Sequence, residues 1–346
     1  MTAAQVDTEV DVDILIVGAG PVGLFGAYYA GARGLSVAVI DSLSQLGGQV
    51  TAMYPEKQIY DIAGLPAVAG RELISGLVAQ AAPYQPTYLL GQEAQDLAER
   101  PADSAGGTPR RLVATSTGTR ITCGAVVITG GIGTFTPRAL PAGEDFLGRG
   151  LEYFVPDSSG YAEKNVVVVG GGDSAIDWCL MLEPIASSVT LVHRREAFRA
   201  HAASVEQVRG SSVEIITNGQ VVGLEGGITL EKAHVEVKGE DGHRTLACER
   251  VVAALGFTAN LGPLREWGLE LHDNRHVVVD SAMSTNVAGV FAAGDITDYA
   301  GKVRLIAVGF GEVATAVNNA AVHIDPDAQL FPGHSTDNPQ PAPVPA

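Results

Sequence analysis

Twice in this chain a short β-branched run stops at a cluster of glycines and continues as an apolar, small-residue segment of helical length. Residues 12–17, VDILIV, stop at Gly18-Ala19-Gly20-Pro21-Val22-Gly23; LFGAYYAGARG follows as a helix ended by Gly34, and SVAVID (36–41) reads as the next strand. Residues 166–169, VVVV, stop at Gly170-Gly171-Gly172-Asp173-Ser174-Ala175; the helix AIDWCLMLEPIA and the strand SVTLVH (188–193) come next. Each copy predicts a βαβ unit with a GxGxxG-type turn between strand and helix. In such a turn Gly18 permits the tight bend, Gly20 lets a pyrophosphate approach the backbone and Gly23 lets helix and strand pack closely; Gly170, Gly172 and Ala175 take these places in the second copy. Asp173 and Ser174 open its helix. The expected fold class is α/β, with two Rossmann-like dinucleotide-binding domains.

The copies differ where each second strand ends. As many positions separate Gly18 from Asp41 as separate Gly170 from His193. Asp41 is placed to accept hydrogen bonds from ribose hydroxyls. In the second copy the acid is replaced by His193, Arg194 and Arg195, with Arg199 one turn further on. An acid would repel a 2′-phosphate, whereas a guanidinium binds phosphate in a fork, so the second unit should take NADP(H). The plainer alternative is a solvated basic face. Opposite charge preferences imply two different nucleotides, and the first unit should hold FAD. The late segment TNVAGVFAAGD (285–295) supports this, because a strand ending in Ala-Gly-Asp would set Asp295 just before a helix start, within reach of a cofactor hydroxyl. Asp295 could instead be a plain helix N-cap, the commoner fate of a Gly-Asp pair.

At 346 residues the chain should carry two domains. Against 39 Asp+Glu it holds 22 Lys+Arg, a formal charge of -17, which argues against nucleic-acid binding. No apolar run is long enough to span a membrane and the N-terminus is acidic, so we expect no membrane association and no export. Cys123, Cys179 and Cys248 lie far apart, with neither CxxC nor zinc spacing. They suit a reducing cytoplasm, and no metal site is expected.

With these motifs on the page the chain resembles the flavoprotein reductases of the thioredoxin reductase type, over nearly its whole length: the first glycine turn, VVITGG (126–131), VVGGGDSA, HRREAFRA and FAAGD. AMYPEKQIYDIAG (52–64), GFGEVATAVNNAAVHIDP (309–326) and HST (334–336) narrow the resemblance to the ferredoxin/flavodoxin–NADP reductases of that type (type 2). Thioredoxin reductases carry a redox CxxC about ten residues before the second nucleotide strand. Here that place falls on Tyr153-Phe154-Val155-Pro156, so the usual disulfide relay is excluded.

The resemblance implies a thioredoxin reductase-like architecture: an FAD domain at 1–136, an NADP domain at 137–257, and the FAD domain resumed at 258–346 with a flavin-covering tail. It implies that Asp41 holds the adenosine ribose of FAD, that Gln49 lies along the flavin, that Tyr54 stacks on the ring, that the backbone near Ala94 faces adenine, and that Phe135, Asp295 and Thr336 complete the site. His334 would stack on the other flavin face, supplied by the partner subunit of a homodimer. Read alone, Tyr54 could be a core aromatic and His334 an exposed loop residue.

The implied activity is electron transfer between NADPH and a one-electron carrier, ferredoxin or flavodoxin, with no residue forming a covalent intermediate. A reductase of quinones or other small acceptors, and a non-enzymatic redox sensor, use the same motifs. An acidic carrier would need a locally basic docking face, for which Lys57 and Lys302 are candidates.

Overall fold

The computed structural model describes residues 8–102, 107–155, 158–334 and 336, with backbone alone at 134–136 and 258–259. The chain divides into two compact units, Met1–Thr134 with Ala259–Ala346, and Phe135–Thr258. The crossings fall within GGIGTFTP and ALGFTAN, the Gly-rich stretches of the sequence.

The first unit is built on a seven-stranded sheet. Glu9–Val17 lies between Val37–Asp41 and Arg120–Ile128 and runs parallel to both; Thr87–Leu90 extends the parallel edge, and Val290–Ala292 joins Arg120–Ile128, also in parallel. Arg110–Thr115 and Ala94–Arg100 continue the sheet antiparallel. Ile14, Leu15 and Ile16 are all fully buried, as a parallel strand covered on both faces requires. One face is covered by the helices Pro21–Ala32 and Ile306–Ile324, which approach so closely that a Cβ on Gly26 would stand 2.7 Å from Val313 Cγ2.

In the second unit five parallel strands run in the order Leu151–Glu152, Arg250–Ala253, Asn165–Val169, Ser188–His193 and Glu214–Thr217. Period-2 alternation divides the core: Val167 and Val169 pack in one apolar cluster, Val166 and Val168 in another on the opposite face. The helices Asp173–Leu182 and Ala202–Arg209 belong to the second face, and an antiparallel sheet of Gly219–Gly226, Leu230–Val237 and Arg244–Ala247 covers the first. The strands and helices of the two βαβ units fall within a few residues of the sequence-based expectation. Among the described residues no helix is long and apolar enough to cross a membrane.

Candidate functional site

In the first unit Gly18 has φ +116°, and a Cβ there would meet Thr129 O at 2.6 Å; one on Gly23 would lie 1.9 Å from Gly18 O. Both positions must be glycine for turn, helix and sheet to close up. Gly20 faces open space, with nothing within 4 Å of its would-be Cβ. The helix beginning at Pro21 has no side-chain cap, so its first amides are left to a ligand. Asp41 accepts from the Ala19 amide at 2.7 Å and the Leu43 amide at 2.8 Å. Burial nonetheless pushes its carboxyl above the usual range, outweighing these two bonds. Each oxygen keeps acceptor capacity for a ribose hydroxyl. The Gln92 amide donates to Asp41 O at 3.1 Å, which brings the loop before Ala94 beside the acid, although Ala94 itself is buried and paired with Thr115.

The Leu46-Gly47-Gly48-Gln49 turn docks on the Gly18–Gly23 turn. Gly47 N donates to Ala19 O at 2.9 Å, and a Cβ on Gly48 would stand 3.0 Å from Gly20 Cα. Both glycines are left-handed, with φ +108° and +55°. Sequence reasoning named only Gln49; the doubled glycine was the signal for the rest of the turn. Gln49 lies over Gly131, whose Cβ would be 2.6 Å from Gln49 Nε2. Tyr54 caps the C-terminus of the short helix Gly48–Met53. Burial raises the pKa of its hydroxyl, and the charges of Asp295 and Asp61 raise it further, so Tyr54 stands in the field of Asp295. Its ring also packs against the cluster of Val50, Ile62 and Ile74, as the core reading of this residue expects.

Asp295 requires a correction. It precedes no helix: Val290–Ala292 is followed by a turn, the strand Thr297–Asp298, and only then the helix at Ile306. The chain folds back because Thr297 N and Oγ1 both donate to Gly294 O, at 3.1 and 2.8 Å, and Thr297–Asp298 pairs with Val277–Val278. The N-cap reading fails for the same reason. Burial pushes the Asp295 carboxyl above its usual range, partly offset by Lys302 and Arg304. Glu312, buried on the last helix, braces the turn by accepting from Gly294 N at 2.7 Å, Tyr299 OH at 2.6 Å and Lys302 Nζ at 2.5 Å. Lys302 is therefore no docking cation. Its side chain is 3% exposed and neutralises a buried carboxylate. Lys57 is exposed.

His334 and Thr336 are exposed, and the His334 ring meets Phe331 edge-on at 5.1 Å. The side chain of Phe135 and residues 337–346 lie outside the described residues.

The second turn opens into a cavity of about 740 Å³, lined by Gly170–Ser174, the His193–Arg195 strand end, Arg199 and Arg138 among others. A Cβ on Gly170 would meet Ala254 O at 2.4 Å, and Gly172 faces open space. Ala175 is fully buried. Arg194, Arg195 and Arg199 are exposed side chains on an irregular segment, not on a helical turn, held by Arg199 N donating to Gly171 O at 2.8 Å. Among the described residues their guanidinium groups have no protein partner, as a phosphate-binding cluster requires. His193 is buried: its ring stacks on Phe198 at 5.0 Å and its Nε2 lies 3.2 Å from Ala197 O. Burial lowers its pKa, and the three arginines add to the effect. The ring also covers Gly171, whose Cβ would fall 2.1 Å from His193 Cε1. Sequence reasoning passed over Gly171. Asp173 lines the cavity, but its Oδ1 accepts from His201 N at 2.9 Å, which gives it a bracing role.

Where thioredoxin reductases place their thiols, Tyr153 packs into one core cluster of this unit, and Phe154 and Val155 into the other; Pro156 and Asp157 lie outside the described residues. All three cysteines are free and buried, and burial pushes every thiol up, Cys123 and Cys248 to about 12. Buried and with raised pKa values, none is poised as a reactive thiolate.

Residues 12–320 match the family model of the pyridine nucleotide-disulphide oxidoreductases. The chain belongs to that family. It is 61% identical to a ferredoxin–NADP reductase of Frankia alni over 93% of this chain and 98% of that one, and 59% identical to one of a Nocardioides species over 96% and 98%. Among solved structures it resembles the thioredoxin reductase of T. acidophilum, at 26% identity and TM-score 0.65, over 92% of this chain and 98% of that chain. The thioredoxin reductase-like fold, with two dinucleotide-binding domains, is thereby established, and the residues at both turns fit FAD and NADP(H).

Proposed function

We propose that this chain is an FAD-dependent ferredoxin–NADP reductase, passing electrons between NADPH and a one-electron carrier, ferredoxin or flavodoxin. The observation that carries the reading is the core packing of Tyr153-Phe154-Val155 in a chain whose thiols are all buried. A family fold that has lost its disulfide relay must give up electrons from the flavin itself. The near-60% identity to reductases of this name supports the choice of carrier.

Flavin chemistry supplies the exchange between a two-electron hydride and single electrons. The protein's own residues bind and orient. The amides of the Gly18–Gly23 turn and Asp41 hold the adenosine diphosphate half of FAD. Gln49, Tyr54 and Asp295 line the remainder, and the Glu312 network keeps Asp295 in place. Arg194, Arg195 and Arg199 hold the 2′-phosphate of NADP(H). The FAD domain is 1–136 with 258–346 and the NADP domain 137–257.

We further propose a homodimer in which the tail of one copy serves the other. Arg33, at the end of the Pro21–Ala32 helix, donates to Gln329 O at 2.8 Å and Leu330 O at 3.0 Å. The helix is about 18 Å long, and four residues beyond Leu330 reach at most about 14 Å. His334 thus starts from the end of the helix remote from its own glycine turn. Free buried thiols support a cytoplasmic location.

NADPH-driven cytochrome c reduction by the purified flavoprotein, with and without ferredoxin across a salt series, tests the function. We expect strong stimulation by ferredoxin that weakens as salt rises. If ferredoxin adds nothing while quinones turn over quickly, the carrier reading is wrong.

A further inference from the structure

We infer that Arg138 binds the nicotinamide half of NADP(H), at the phosphate farther from adenosine. The inference rests on reading the second-unit cavity as the NADP(H) site. Arg138 lines that cavity and is exposed to it, and among the described residues its guanidinium has no protein partner. The Arg138 amide donates to Gly256 O at 2.9 Å, and Leu140, two residues on, is buried in the core, so the segment is anchored on both sides of its next residue.

Sheet order then fixes the side on which this cation stands. Gly170–Gly172 ends the central strand Asn165–Val169. Its neighbour on one side, Ser188–His193, delivers Arg194, Arg195 and Arg199. Its neighbour on the other side, Arg250–Ala253, leads into Ala254–Gly256 and so to Arg138. Two strand spacings separate those flanking strands, about 10 Å. A dinucleotide whose pyrophosphate lies on the glycine turn, and whose adenosine ribose lies at the end of the second strand, must run its other half the opposite way. That path leads toward Arg138. With three guanidinium groups serving the 2′-phosphate, the fourth is left for the second phosphate of the pyrophosphate, where a planar cation can bind two oxygens.

Titration calorimetry of the flavin-loaded protein with NADP⁺ and with adenosine 2′,5′-bisphosphate tests this, because the second ligand ends before the phosphate in question. Arg138→Gln should weaken NADP⁺ about tenfold or more, the loss of one charged hydrogen-bond pair, and leave the bisphosphate unchanged. Arg138→Lys should recover part of the NADP⁺ affinity. Arg195→Gln should weaken both ligands. Unchanged NADP⁺ binding in Arg138→Gln, or an equal loss for both ligands, overturns the inference. If Arg195→Gln leaves the bisphosphate affinity intact, the cavity is not the 2′-phosphate site, and the reading beneath the inference falls instead.

Discussion

The two glycine turns answer the same steric problem with different residues. In both, the first glycine is forced by the backbone carbonyl just past a neighbouring strand, Thr129 O for Gly18 and Ala254 O for Gly170, and in both the second glycine of the motif, Gly20 or Gly172, faces open space. They part at the residue between. Ala19 is buried and gives its amide to the Asp41 carboxylate, whereas Gly171 lies beneath the His193 ring and has no room for a Cβ. A compact carboxylate tolerates a methyl in the turn; an imidazole stacked on Phe198 does not. The residue that ends the second strand therefore sets both the charge presented there and the composition of the turn beside it. They part again at the third position, where Gly23 admits no Cβ and Ala175 carries one.

The third position should give the largest effect. Gly23→Ala puts a methyl 1.9 Å from Gly18 O, against backbone that cannot yield cheaply. We expect a loss of about 1–3 kcal/mol and protein purified without bound flavin, read from its absorbance and thermal melting. The mirror change, Ala175→Gly, should cost only about 1 kcal/mol and keep NADP⁺ binding. Flavin-loaded Gly23→Ala protein of normal stability would mean that the two turns are interchangeable.

Next comes the middle residue. Gly171→Ala should displace the His193 ring and weaken NADP⁺ by about tenfold, with flavin content untouched; that factor is what a difference of about 1.4 kcal/mol gives. Ala19→Gly should cost about 0.5–1 kcal/mol of stability and leave NADP⁺ alone. Calorimetric titration of both variants decides the matter: equal NADP⁺ affinity in Gly171→Ala and the parent would break the coupling between strand end and turn.

How much of this was legible follows from the physics. Strand, turn and helix could be read from periodicity and glycine spacing because those signals are local. So could the charge reversal between Asp41 and His193-Arg194-Arg195, since register carries it. Gly171 could not, because its reason lies in a ring many residues away. Asp295 was misplaced because Gly-Asp after a strand is a helix-start pattern, and only the pairing of Thr297–Asp298 with Val277–Val278 turns the chain back. Lys302 was taken for a surface cation because charge reads as exposure unless a buried partner is known. Glu312 is that partner, and its burial shows only in the folded chain.

The strand-end residues also differ in how they couple stability to pH, and this is the smallest effect expected. Burial, with the arginines beside it, holds the His193 pKa below its ordinary value, so the unfolded chain binds the proton more readily. The stability this contributes is present above the ordinary imidazole pKa, about 6.5, and is lost as pH falls through the lower folded value. Asp41 works the other way. Burial raises its pKa, the native carboxyl keeps its proton longer than the unfolded one, and the stability so contributed at low pH is lost as pH rises through the raised value. Flavin-free protein melted across a pH series should therefore lose the near-neutral slope in His193→Gln and the acid-side slope in Asp41→Asn, each without the other. Slopes that vanish together, or that carry the same sign, would mean the two positions titrate as one, and the charge contrast between the turns would then not be set locally.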